Sequence, residues 1–194
     1  MVANRKKTWT VEEYLAFERS SDTRHEFLSG EIFMMAGASE RHILITGNTF
    51  GSLYTQFRKR DCRAYATDMR VKVSATGLYT YPDIVAVCGT PRFADDKNDM
   101  LLNPTLIVEV LSPSTKDYDR GEKFFHYRTL ESFQEYLLVA QDSIHVEHYS
   151  RNPDNTWLLE ETNLADATIS LKAVGCTVLV ADLYEKVTFE VNET

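Results

Sequence analysis

Two carboxylates sit where the sequence pattern buries them. Asp83 follows Tyr81-Pro82 and opens the apolar run Ile84-Val85-Ala86-Val87, and Glu109 stands inside Leu106-Ile107-Val108-Glu109-Val110-Leu111. An ionised Glu is almost never buried alone, because desolvation either costs several kcal/mol or raises its pKa. Glu109 therefore needs a cation, a metal or a catalytic role, unless it pairs with a core Arg or its strand end reaches solvent. Only a loop separates the two runs, so neighbouring strands are expected and the acids would converge. Mutually repelling oxygen donors of that kind suit Mg²⁺ or Mn²⁺, which keep several waters and meet substrate phosphates. Pro-Asp is also a common turn pair, so spacing alone leaves both readings open.

The elements that must position these acids are legible along the chain. Thr10-Val11-Glu12-Glu13 is a capping-box pattern, with Tyr14, Leu15 and Phe17 giving a short amphipathic helix. Phe27-Leu28, Ser29-Gly30 and Glu31-Ile32-Phe33-Met34-Met35 read as a hairpin. Ser39 caps a longer helix carrying Ile43, Phe50, Leu53, Tyr54 and Phe57, in which Gly47 and Gly51 suggest a close helix contact. Strands are expected near residues 63–66, 69–73, 83–87 and 106–110, and again near 135–139, 144–149 and 156–161. Short strands near 169–171 and 178–180 follow. Inner strands that are apolar on both faces imply one mixed α/β domain, a sheet flanked by helices with additional C-terminal strands.

Composition narrows the function classes. With 43% hydrophobic and 26% charged residues the chain reads as globular rather than disordered. A net charge of -8, from 29 acidic and 21 basic side chains, argues against passive charge-driven nucleic-acid binding. It leaves room for an enzyme whose acidic site is neutralised by a divalent ion. Cys62, Cys88 and Cys176 are odd in number, far apart and without zinc spacing, so reduced thiols in the cytosol are expected. The basic start of the chain runs into Thr8-Trp9-Thr10 and not into an apolar run, which predicts no signal peptide, no membrane span and a cytoplasmic protein. His145 and His148 look like a metal pair, but on a strand they face opposite sides.

Taken together, Tyr81-Pro82-Asp83-Ile84, the run from Ile107 to Thr115, and Asp117-Tyr118-Asp119-Arg120-Gly121-Glu122-Lys123 resemble the Uma-two family of restriction endonucleases within the PD-(D/E)XK nuclease superfamily. Arg24-His25-Glu26-Phe27 with Ser29-Gly30-Glu31, His42, and Tyr136-Leu137-Leu138-Val139 extend the match across nearly the whole chain. The resemblance implies a restriction-endonuclease-like core at about 10–150 within a domain of 1–194, with C-terminal strands at about 155–190. It implies a homodimeric, Mg²⁺- or Mn²⁺-dependent endonuclease acting on DNA. Asp83 and Glu109 would bind the metal, with the Val110 backbone carbonyl and Glu26 as further ligands. The superfamily expects a lysine two residues after the second acid, where this chain has Leu111. Some members carry that lysine on the following helix, which implies Lys123 here; its alternative is an exposed i,i+4 pair with Asp119. His42, Ser114, Thr115 and Arg120 are the implied phosphate contacts, set against plain packing for His42 and an N-cap for Ser114-Thr115. The rival to cleavage is a degenerate nuclease fold that binds a partner or nucleic acid without cutting it.

Overall fold

The capping box at Thr10 closes as its sequence requires. Thr10 Oγ1 accepts from the Glu13 amide and the Glu13 carboxylate accepts from the Thr10 amide, starting helix α1 (Val11–Ser20). The structure, a computed structural model, describes residues 7–189; the expectations for residues 1–6 and for the last residues of the C-terminal region lie outside them. The hairpin follows as β1 (His25–Leu28) and β2 (Glu31–Met34), turning at Ser29 and Gly30, both with positive φ. Ser39 caps α2 (Glu40–Phe57) by accepting from the His42 amide. Then come β3 (Cys62–Ala66), β4 (Arg70–Val73), β5 (Leu78–Thr80), β6 (Ile84–Cys88), β7 (Met100–Leu101) and β8 (Leu106–Leu111).

The helical stretch after β8 comprises α3 (Lys116–Tyr118), a π-helical turn (Asp119–Lys123) and α4 (Phe124–Tyr127). Strands β9 (Glu135–Ala140), β10 (Val146–Arg151), β11 (Trp157–Thr162), β12 (Thr168–Leu171) and β13 (Cys176–Leu179) precede a last turn of helix, α5 (Val180–Leu183).

Six strands form a mixed sheet in the order β11-β10-β9-β8-β6-β3, with β8 and β9 parallel and the other neighbours antiparallel. Five more form a second sheet, β2-β1-β5-β4-β7, and β12-β13 is a separate hairpin. The inner strands of the large sheet are apolar on both faces because both faces are covered. On one side Ile84, Ala86, Leu106, Val108 and Leu137 meet Ile45, Leu53 and Phe57 of α2, together with the C-terminal hairpin. On the other, Val85, Ile107, Tyr136 and Leu138 meet Phe124 and Tyr127 and, from the second sheet, Val71, Val73 and Leu78. Alternation along β8 therefore sends Glu109, with Ile107 and Leu111, between the two sheets. Among the described residues no helix is long and apolar enough to cross a membrane.

Two expectations are corrected. Gly47 and Gly51 face open space, with nothing within 4 Å of a Cβ added at either, so they make no close helix contact. Cys62 and Cys88 are not free thiols. They lie directly opposite one another on β3 and β6, with Cα atoms 4.0 Å apart, and form a disulfide. A sequence separation of 26 gave no hint of a pairing that the strand register creates. Cys176 is the free cysteine, and it is buried. Of the three cysteines, thiol titration in denaturant without reductant should count one, and all three after reduction; three thiols before reduction would remove the disulfide.

Candidate active site

The pairing of β6 with β8 brings the two acids together. Ile84 lies opposite Val108, and the Asp83 amide donates to Glu109 Oε2 at 3.3 Å. Asp83 Oδ2 accepts from the Val110 amide at 2.7 Å, and His42 Nε2 donates to Asp83 Oδ1 at 2.8 Å. The long helix α2 thus delivers His42 to Asp83 from its first turn. Val110 meets Asp83 through its N–H, a contact the expectation of a carbonyl ligand did not include.

Lys123 reaches the same place from the π-helical turn. Its Nζ lies 3.0 Å from Glu109 Oε1, 3.3 Å from Glu26 Oε1 and 3.4 Å from Asp119 Oδ1. A π turn carries one extra residue within a helical repeat, a feature frequent at functional sites. Asp119 and Lys123 bound that turn and are both buried. Tyr136 donates its hydroxyl to the Asp119 carbonyl at 3.1 Å, pinning the turn to β9. Tyr127, one turn past Lys123, donates to Glu109 Oε1 at 2.9 Å. Glu26 accepts from the Thr80 hydroxyl and, at 3.5 Å, from Tyr118. The surface-pair reading of Lys123 fails: the Asp119 contact exists, but inside the cluster.

A second buried network braces the chain just before Asp83. Glu18 accepts from the His25 amide, the His25 ring and the Tyr81 hydroxyl, each at 2.9 Å. Arg70 Nε donates to the Tyr81 hydroxyl at 2.7 Å. Helix α1 is thereby fastened to the strand bearing Glu26 and to the segment leading into Asp83.

The electrostatics follow from counting charges. Three carboxylates, from Glu109, Glu26 and Asp119, surround one ammonium, and Asp83 adds a fourth acid beside Glu109. Burial pushes Glu109 up to about 8 from 4.5, with Asp119 and Asp83 adding to it and Lys123 opposing. Burial likewise raises Asp119. For Lys123 burial acts downward, but Glu109, Glu26 and Asp119 outweigh it and hold the ammonium well above its ordinary range. Burial thus favours the protonated form of Glu109 and Asp119, while the neighbouring carboxylates keep the proton on Lys123. The donor set also suits a hard divalent cation. Asp83 and Glu109 offer neighbouring carboxylate oxygens, Glu109 buried and Asp83 on the solvent side, where the Asp83 and His42 side chains are 17% and 16% exposed. Each carboxylate has about four acceptor positions, so the two bonds to Asp83 leave room for a ligand.

Other expected contacts lie elsewhere. Arg120 pairs with Glu147 at 2.6 Å at the rim of β10 and is not part of the cluster. Ser114 and Thr115 are exposed; their hydroxyls lie 3.0 and 2.9 Å from Ser112 Oγ, and Thr115 makes no side-chain cap bond to α3. The two histidines face opposite sides as expected, His145 near Glu147 and Glu161, His148 at 3.3 Å from Glu135. Sequence reasoning missed Thr80 and the inward role of Asp119; the i,i+4 spacing of Asp119 and Lys123 was visible, but not the direction both would face.

Residues 11–181 match the family described as "Uma2: Putative restriction endonuclease". The chain belongs to the Uma2 family. Two uncharacterized proteins of Synechocystis sp. are 38% and 35% identical to it, over 83% and 92% of this chain and 91% and 92% of their own lengths. The solved structure of a protein described as "a putative nuclease belonging to DUF820", from Anabaena variabilis, superposes with a TM-score of 0.73, covering 92% of this chain and 99% of that one. At 19% identity that likeness establishes the fold: a restriction-endonuclease-like mixed α/β architecture.

Because Glu109 binds its proton more tightly folded than unfolded, the stability it contributes is complete below pH 4.5 and lost as pH rises through 8. In chelator, the urea midpoint of the wild type should therefore fall across that window relative to Glu109→Gln. Parallel pH profiles for the two would contradict a raised Glu109.

Proposed function

We propose that this Uma2 protein is a metal-dependent endonuclease that hydrolyses phosphodiester bonds in DNA. The observation that carries the reading is the meeting of Asp83, Glu109 and Lys123: two acids on adjacent strands, with the ammonium 3.0 Å from the second. Family membership supports nuclease chemistry, and the helix-borne Lys123 supplies the cation that Leu111 cannot.

In this reading Asp83 and Glu109 hold Mg²⁺ or Mn²⁺, with Glu26 as a further oxygen donor. The ion supplies positive charge at the phosphoryl oxygens and makes water more acidic. Lys123 has three N–H groups facing three carboxylates. Releasing Asp119, the longest of the three contacts, frees one N–H to orient the attacking water and to stabilise charge on the phosphate. Tyr127 fixes Glu109 in place and His42 fixes Asp83, as outer partners of metal ligands do. Cutting both strands of a duplex needs two such sites, which a two-fold homodimer supplies.

A second reading, binding without cleavage, is favoured by the displaced lysine and by the net charge of -8. Supercoiled plasmid and single-stranded DNA with Mg²⁺ or Mn²⁺ separate the two. Nicking by the wild type should be abolished in Asp83→Ala and fall by roughly 100-fold or more in Lys123→Ala. His42→Ala should weaken Mn²⁺ binding by about 10- to 100-fold in calorimetry. Wild-type nicking retained in Asp83→Ala would sink the assignment, and metal-independent inactivity of the wild type would favour the binding reading.

A further inference from the structure

Strand β2 sets an aromatic ring beside the acid cluster. In the β1–β2 hairpin Phe33 lies directly opposite Glu26. Directly opposed residues of an antiparallel pair project from the same face, their Cβ atoms about 4.5–5.5 Å apart. Phe33 is therefore on the sheet face from which Glu26 reaches Lys123. Its neighbours point the other way: Ile32 and Phe27 pack with Tyr14 of α1. Phe33 is 49% exposed, and it belongs to none of the three apolar clusters among the described residues. Beyond it the chain passes through exposed residues 36–39 to α2, where His42 holds Asp83. The ring and the most solvent-reached members of the site thus flank one short connection.

We infer that Phe33 is the stacking platform for an unpaired nucleobase of the substrate strand, the base adjoining the phosphate that the acid cluster receives. This rests on the nuclease reading above and names its substrate class: single-stranded DNA, or duplex opened at the cutting position. A phosphate brought to the Lys123 ammonium, which Glu26 contacts at 3.3 Å, leaves its own nucleoside next to Phe33. A base inside a duplex has both faces covered by its neighbours, so only an unstacked base offers a face to a ring fixed on a strand. Stacking of this kind tolerates every base, since each has a π-face, and so adds affinity without reading sequence.

The test compares a short, labelled thymidine oligomer with an abasic oligomer of the same length and charge, by anisotropy, with Ca²⁺ in place of Mg²⁺. The wild type should bind the thymidine strand about 5- to 150-fold more tightly than the abasic one. Phe33→Ala and Phe33→Leu should bind the two strands equally, and Phe33→Trp should restore the preference. An undiminished thymidine preference in Phe33→Ala, or in Phe33→Leu, overturns the inference and leaves the nuclease reading standing. A wild type that neither binds nor cuts any strand removes that reading, and this inference with it.

Discussion

Everything in the candidate site depends on one ammonium group placed among more carboxylates than it can neutralise. Lys123 is 5% exposed and Glu109 is 3% exposed, and their contact at 3.0 Å offsets part of the cost of burying each. Yet the pair does not balance, because Glu26, Asp119 and Asp83 add three further acids. A site built only for stability would match its charges. This one keeps a surplus of negative charge at the end of two central strands, and such a surplus favours a proton or a metal ion. The hydroxyls of Tyr118 and Tyr127 donate to Glu26 and Glu109 and carry no charge, so they orient those acids without cancelling them, while Tyr136 holds the Asp119 backbone.

The scaffold is arranged to hold that imbalance steady. Three elements distant in sequence each deliver one side chain: β1 brings Glu26, α2 brings His42 and the π turn brings Lys123. Each is fixed behind the site by a separate device. Helix α1 holds β1 through Glu18, the Ser39 cap sets the start of α2, and Tyr136 grips the carbonyl of Asp119. Because the two sheets sandwich Glu109, the acid is kept from water by apolar packing above and below and meets polar groups only at its tip.

Much of this was legible in the sequence, for identifiable reasons. The apolar run after Asp83 and those on both sides of Glu109 signalled inner strands, and the loop between them signalled neighbours; both features are local. The capping box, the Gly30 turn and the Ser39 cap are local as well, and all three formed. What the sequence hid was direction and register. Lys123 and Asp119 read equally well as a surface pair, since the π turn that faces them inward has no spacing signature. Arg120 is an implied phosphate contact, but the same turn sends it to Glu147. Gly47 and Gly51 suggested a packed helix face and lie on the open one, and Cys62 met Cys88 only because two strands chose a particular register. The second sheet was hidden for a similar reason, since its strands are short and its order interleaves with the first.

The Cys62–Cys88 bridge has a mechanical effect on this arrangement. Strand β3 is the outer rail of the large sheet, the position from which sheets ordinarily begin to fray. The bridge clamps it at the end away from Asp83, while at the other end the Thr67 amide donates to the Asp83 carbonyl at 2.9 Å. Peeling that starts at the clamped end is stopped by a covalent bond. Any breathing of the edge must therefore start at the end held by hydrogen bonds alone, beside Asp83, so loosening of this rail is felt first by the acids.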